Sequence, residues 1–183
     1  MITFKQYCVE EGRLGSIAAG AALAASSAYG DFVKDWSKHY QTSQDPNKEL
    51  RARQVVDSNY TVPEPAEKAI QAAAYMFAGD EGKTHEQLVE YLRKTGAVES
   101  GYRTKVQSGG GPARSYWQVE PATAMDLVKN SAPYFGKKFH ARYGQGALVK
   151  LQKLDQNQWS QVLEKYDELG AVMAAAKWIA SRW

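Results

Sequence analysis

From residue 64 onward this chain repeats one pattern: apolar side chains recur at spacings of three and four, interrupted by proline, glycine or polar breaks. No run of alternating residues suggests a sheet of any size, so the chain is predicted to be mostly α, with helices packed around one core. Segment 64–78 has a proline in its first turn and Ile70, Ala73, Ala74 and Phe77 on one face. Gly79-Asp80-Glu81-Gly82 breaks it. Thr84 and Gln87 then form a capping box, and Leu88, Tyr91, Leu92 and Val98 supply the stripe of a helix running toward Glu99. Further helical patterns lie at 121–130, 145–154, 157–169 and 170–183. The pattern lapses between about 100 and 116, where Ser108-Gly109-Gly110-Gly111-Pro112 requires a loop and a small hairpin fits.

A length of 183 residues, 44% hydrophobic and 23% charged, matches one globular domain. The pattern divides it into an Ala-rich and helical N-terminal segment, 1–60, and a helical domain, 61–183. In the first segment, Phe32, Val33 and Trp36 are spaced as on a helix, and 41–48 is a polar break with Pro46. Residues 14–29 are uncharged and rich in Ala, Gly and Ser, but are shorter than the roughly 20 residues that cross a bilayer. Two readings stand. One is a signal peptide ending near Ala22-Leu23-Ala24, which would make the protein secreted or periplasmic; Lys5 and Arg13 suit it, and Glu10 and Glu11 do not. The other is a retained helix that packs on protein or touches membrane transiently.

Lys and Arg number 23 against 20 Asp and Glu, and a net charge of +3 is too small to imply nucleic acid. The charge is uneven. Residues 103–154 hold nine basic and two acidic residues, or +7, leaving −4 for the rest; a basic half suits an anionic polymer. The lone Cys8 excludes an internal disulfide and a multi-cysteine metal site, and His39, His85 and His140 lie far apart, so neither metal nor cofactor is expected.

The stretch 97–129 carries the chemistry. Glu99 stands at the C-terminal end of an apolar helix, where the negative end of the helix dipole and apolar neighbours such as Val98 and Tyr102 favour a protonated carboxyl. An acid of that kind suits cleavage of a glycosidic bond. After the glycine loop come Tyr116, Trp117 and Gln118, then Glu120 just before the Pro121 that opens a helix. A carboxylate at that place suits the positive helix end, so Glu120 reads first as a cap and second as a candidate second carboxylate. Ser100 has no His nearby to activate it, so its hydroxyl is expected to bond the backbone or Glu99.

Glu99-Ser100-Gly101-Tyr102, followed by the Gly/Ala loop and Trp117-Gln118-Val119-Glu120-Pro121-Ala122-Thr123-Ala124, resembles the soluble lytic transglycosylases, peptidoglycan-cleaving enzymes of lysozyme-like fold. Glu99-Ser100 matches the family's first motif, and Gln118 with Pro121-Ala122-Thr123 the second; the resemblance covers roughly 65–183. Glu120 before Pro-Ala-Thr, and the Gly-Gly-Gly-Pro-Ala loop, look like the transglycosylase domains of phage virion proteins. What this implies is a virion protein acting in the host periplasm or cell wall, its N-terminal segment contacting other virion proteins. In that scheme Glu99 protonates the oxygen joining N-acetylmuramic acid to N-acetylglucosamine and then deprotonates the muramic C6 hydroxyl, leaving a 1,6-anhydro sugar. Gln118 bonds substrate or orients Glu99. Ser100, Tyr102, Tyr116, Trp117 and Thr123 are implied to line the substrate site, the aromatics by stacking on sugar rings.

The chain departs from the family at two places. Ser115-Tyr116 replaces Gly-Leu, so the backbone there is expected to be less freely strained. The third motif, Ala-Tyr-Asn-Ala-Gly, is missing, with Trp178 or Tyr166 as stand-ins for its Tyr. Two alternatives therefore stand beside the lyase: a hydrolysing lysozyme of the same fold using Glu120 to activate water, and an inactive lysozyme-like structural virion protein.

Overall fold

A computed structural model describes residues 61–130, 132–144 and 146–180. The expectations attached to residues 1–60, including the signal, membrane-contact and virion-contact readings, lie outside the described residues.

The described chain is mostly helical. Helix α1 (Glu64–Phe77) is followed by a short 3-10 turn at Asp80–Gly82, then by α2 (His85–Ser100), α3 (Pro121–Asn130), α4 (Ala132–Tyr143), α5 (Ala147–Gln152), α6 (Gln156–Lys165) and α7 (Asp167–Ala180). Helix α1 packs most extensively on α7 and then on α2, while α3, α5 and α6 form a second group that joins the first through α7. Among the described residues no helix is long and apolar enough to cross a membrane.

The local causes are those of the sequence. Thr84 accepts from the Gln87 N–H while the Gln87 side chain accepts from the Thr84 N–H, closing the capping box of α2. Asp155 and Gln158 do the same for α6. Two boundaries differ from the sequence pattern. Helix α4 was not anticipated, because Pro133 and Gly136 look like breaks; the proline stands in the first turn, where its missing N–H is not needed. Helix α7 begins at Asp167 and carries Gly170 inside its first turn, because the break falls at Tyr166, whose φ and ψ of −117° and 99° are extended. The lapse after residue 100 does hold a small β element: Val106 pairs with Arg114, and Arg114 with Val119, both antiparallel.

Helix α2 carries the candidate acid. Its positions Lys94, Thr95, Gly96, Ala97 and Val98 are all buried, so the second half of the helix is enclosed on every side rather than along one stripe. Arg93 clamps it to α1 with two hydrogen bonds to Glu67, at 3.0 and 2.6 Å. The guanidinium holds the Glu67 carboxyl below the usual glutamate range, with burial acting against it. A carboxyl lowered on folding contributes stability above its unfolded value and loses it as pH falls through the folded one. Glu67→Gln is therefore expected to cost about 1 kcal/mol at pH 7, discounted for partial exposure. The difference from the unaltered protein should shrink as pH falls through the lowered folded-state range of the Glu67 carboxyl, in urea titrations run across pH.

Candidate active site

Helix α2 emerges from the core only at its last residues, where Glu99 and Ser100 are half-buried after five buried positions. Gly101 ends it in the left-handed conformation, φ 58°, its N–H donating to the Ala97 carbonyl. The Ser100 hydroxyl donates to the Gly96 carbonyl and accepts from the Tyr102 N–H, both at 3.1 Å, so it secures the helix exit. Burial pushes the Tyr91 phenol up, and the Glu99 charge adds to that rise, so the carboxylate is felt along the buried face of α2.

Tyr102 follows at φ 55°, a strained value for a residue with a side chain. Its ring folds back over α2, and its hydroxyl donates to the carbonyls of Arg93 at 2.9 Å and Leu92 at 3.3 Å. Gly96 makes room: a Cβ there would lie 2.6 Å from the Tyr102 ring. The hairpin arrives at the same place. Its tip is the turn Ser115-Tyr116-Trp117-Gln118, closed by Arg114 and Val119 exchanging hydrogen bonds at 2.9 and 2.8 Å. The Trp117 indole N–H donates to the Leu92 carbonyl at 2.8 Å. Ser115 is fully buried at φ 67°, against Gly170 of α7, where a Cβ would lie 2.5 Å from that of Ser115.

Of the expected site residues, Tyr102, Tyr116 and Trp117 meet ring to ring, in unequal roles. Tyr102 and Trp117 are 7% and 3% exposed and serve as clamps on α2, leaving little ring face for a sugar; Tyr116, half-buried, is the aromatic of the three with open surface. It lies 5.6 Å from the Tyr102 ring. The Gln118 amide donates to the Ser115 carbonyl at 2.9 Å and so holds its own turn. Glu120 is exposed, its carbonyl accepting the first hydrogen bond of α3, and Thr123 is half-buried in the first turn of that helix. Of the stand-ins for the missing family Tyr, Trp178 stacks on Tyr91 at 4.1 Å, eight residues before Glu99, a rise of roughly 12 Å along α2. Tyr166 is buried at the end of α6.

Ser115 also corrects the expectation of a less strained backbone: a serine occupies the left-handed region that a glycine would take without cost. Long-range partners were invisible in the sequence. Lys105 Nζ lies 2.7 Å from Asp167 and 5.1 Å above the Tyr116 ring, and Arg114 lies 3.8 Å from Glu164. The two helix glycines were the available signal, since a glycine inside a helical pattern marks a close approach.

The chain matches no family model, no curated protein and no solved structure. Its relation to the transglycosylases remains a resemblance carried by Glu99-Ser100, Gln118 and Pro121-Ala122-Thr123.

The glycines provide a test of this packing. Gly96→Ala, which forces a methyl into the Tyr102 ring, is expected to destabilise by roughly 1–3 kcal/mol despite better helix propensity. Gly136→Ala in α4 meets only Leu148 at 3.6 Å and should stabilise by about 0.5–1 kcal/mol. Chemical denaturation of both variants checks the contrast.

Proposed function

We propose that this protein is a peptidoglycan-degrading enzyme of lysozyme-like fold. It cleaves the bond between N-acetylmuramic acid and N-acetylglucosamine as a lytic transglycosylase, and acts from a phage particle to help genome entry through the host wall. The observation that carries the proposal is the setting of Glu99, a half-buried carboxylate at the exit of an enclosed helix, with the Tyr116–Gln118 turn anchored on that same helix through Trp117. The virion setting rests on the sequence resemblance alone.

In this reading Glu99 gives its proton to the glycosidic oxygen as the bond breaks. The carboxylate then accepts the proton of the muramic C6 hydroxyl, which closes on C1, so that no water is consumed and the acid is regenerated. Tyr116 offers a half-open ring for a sugar face, with Lys105 above it.

Glu99→Gln preserves shape and removes the transferable proton, so cleavage of purified peptidoglycan should fall by about a thousandfold. Chromatography of the wild-type digest should show anhydro-muropeptides. Reducing muramic ends would instead establish the hydrolysing lysozyme, and an unaltered rate in Glu99→Gln, or no cleavage by the wild type, would sink the enzyme reading in favour of a structural role.

A further inference from the structure

The basic residues that the site does not use gather in one part of the fold. From Leu127 to Leu154 the chain carries Lys129, Lys137, Lys138, Arg142, Lys150 and Lys153 and no Asp or Glu. Two of these charges are balanced from other elements: Lys138 lies 2.7 Å from Asp80, and Arg142 2.7 Å from Glu168. Lys129, Lys137 and Lys153 are exposed and make no ion pair among the described residues.

Packing brings these three around α5. Gln152 Nε2 donates to the Val128 carbonyl at 3.2 Å, joining the C-terminal ends of α5 and α3. On another flank, a Cβ at Gly136 of α4 would sit 3.6 Å from Leu148 of α5. Each of the three lysines follows by one residue a position in these contacts, so three exposed lysines stand on α3, on α4 and at the end of α5, with α3 and α4 both packed on α5. The nearest acids, Asp126 on α3 and Asp155 at the start of α6, are held locally by Asn130 and by the Gln158 N–H. The one arginine of the stretch is tied to Glu168, so the available cations are lysines. Lysine ammonium groups are flexible point charges that pair with any anion, and the anions that the proposed wall polymer carries along its whole length are its peptide carboxylates.

We infer that this lysine face docks the peptide carboxylates of the wall polymer, as a holding surface separate from the cleft. Helix α3 starts beside the turn bearing Gln118 and ends next to Lys129, so its ten residues set the two roughly 15 Å apart. The inference rests on the wall-cleaving reading for the identity of the polymer, and its test is a binding measurement that needs no catalysis.

The experiment is cosedimentation of the full chain, carrying Glu99→Gln, with insoluble peptidoglycan sacculi stripped of phosphate polymers by hydrofluoric acid. The triple change Lys129→Glu, Lys137→Glu, Lys153→Glu should weaken retention about tenfold at low salt, and the difference should shrink near 1 M salt, where charges are screened within about 3 Å. The same three positions changed to Gln should give a smaller loss, and circular dichroism verifies that both variants fold. Sacculi whose carboxylates have been amidated should retain the unaltered lysine face as poorly as the charge-reversed variant binds untreated sacculi. Equal retention of variant and parent, undiminished binding to amidated sacculi, or binding that requires the phosphate polymers or transfers to anionic vesicles would each overturn the inference. Normal retention by the lysine variants, alongside cleavage that depends on Glu99, would remove the docking surface and leave the enzyme reading standing.

Discussion

The carbonyl oxygen of Leu92 is the point on which the site depends. It accepts a hydrogen bond from the Trp117 indole at 2.8 Å and another from the Tyr102 hydroxyl at 3.3 Å. A carbonyl has two lone pairs, and a helix interior uses one, so the Trp117 indole takes the other, while the Tyr102 hydroxyl is shared with the closer carbonyl of Arg93 at 2.9 Å. Here the donors come from the chain just after the helix and from the hairpin tip. Because both converge on one atom, the exit path of α2 and the position of the hairpin cannot vary independently. Gly96 makes this convergence sterically possible, one turn beyond Leu92 and one turn before Ser100. The neighbourhood of Glu99 is therefore set by the packing of two large side chains that themselves have little open surface.

Backbone strain concentrates in the same place. Tyr102, Ser115 and Gln118 all take positive φ, at 55°, 67° and 48°, and each is expected to cost on the order of 1–2 kcal/mol. Distinct contacts hold each one. Tyr102 is held by its buried ring and hydroxyl, Ser115 by complete burial against Gly170, and Gln118 by its own amide on the Ser115 carbonyl. Strained non-glycine residues persist only where surrounding structure over-determines them, and such residues cluster at functional sites. Three of the four such residues among those described stand at the exit of α2 and in the hairpin turn anchored on it, the fourth being Glu81 in the 3-10 turn.

Much of the helical plan was legible because it is local: the capping box of Thr84 and Gln87, the stripe through Leu92 and the end of α2 at Glu99 all follow from neighbours in sequence. The failures have physical causes too. A proline in the first turn hid α4, and Tyr166 ends α6 through a backbone conformation that its side chain does not advertise. At the site, the residues themselves were legible, but which of them would face outward was not. Tyr102, Tyr116 and Trp117 look equivalent as letters, and only the meeting of two donors at Leu92 turns two of them inward. Pairs such as Lys105 with Asp167 join positions 62 residues apart, which no periodicity encodes.

That last pair bears on the chemistry. Within the chain between Glu99 and Asp155 the only other carboxylates are Glu120 and Asp126, but the fold brings in two more from beyond, Asp167 and Glu164. A water-activating base has to be an available carboxylate with room for water beside it. Glu120 is exposed at the start of α3, and Asp126 is engaged with Asn130. Glu164, 53% exposed, is loosely paired with Arg114 at 3.8 Å. Asp167 is the most enclosed of the four and already has a partner, Lys105 at 2.7 Å. Lys105 also lies over Tyr116, so freeing Asp167 to act on water would withdraw the cation from the open aromatic face as well. An intramolecular hydroxyl as the acceptor makes no such demand, so the proposed one-carboxylate scheme leaves the pairing of Lys105 with Asp167 undisturbed.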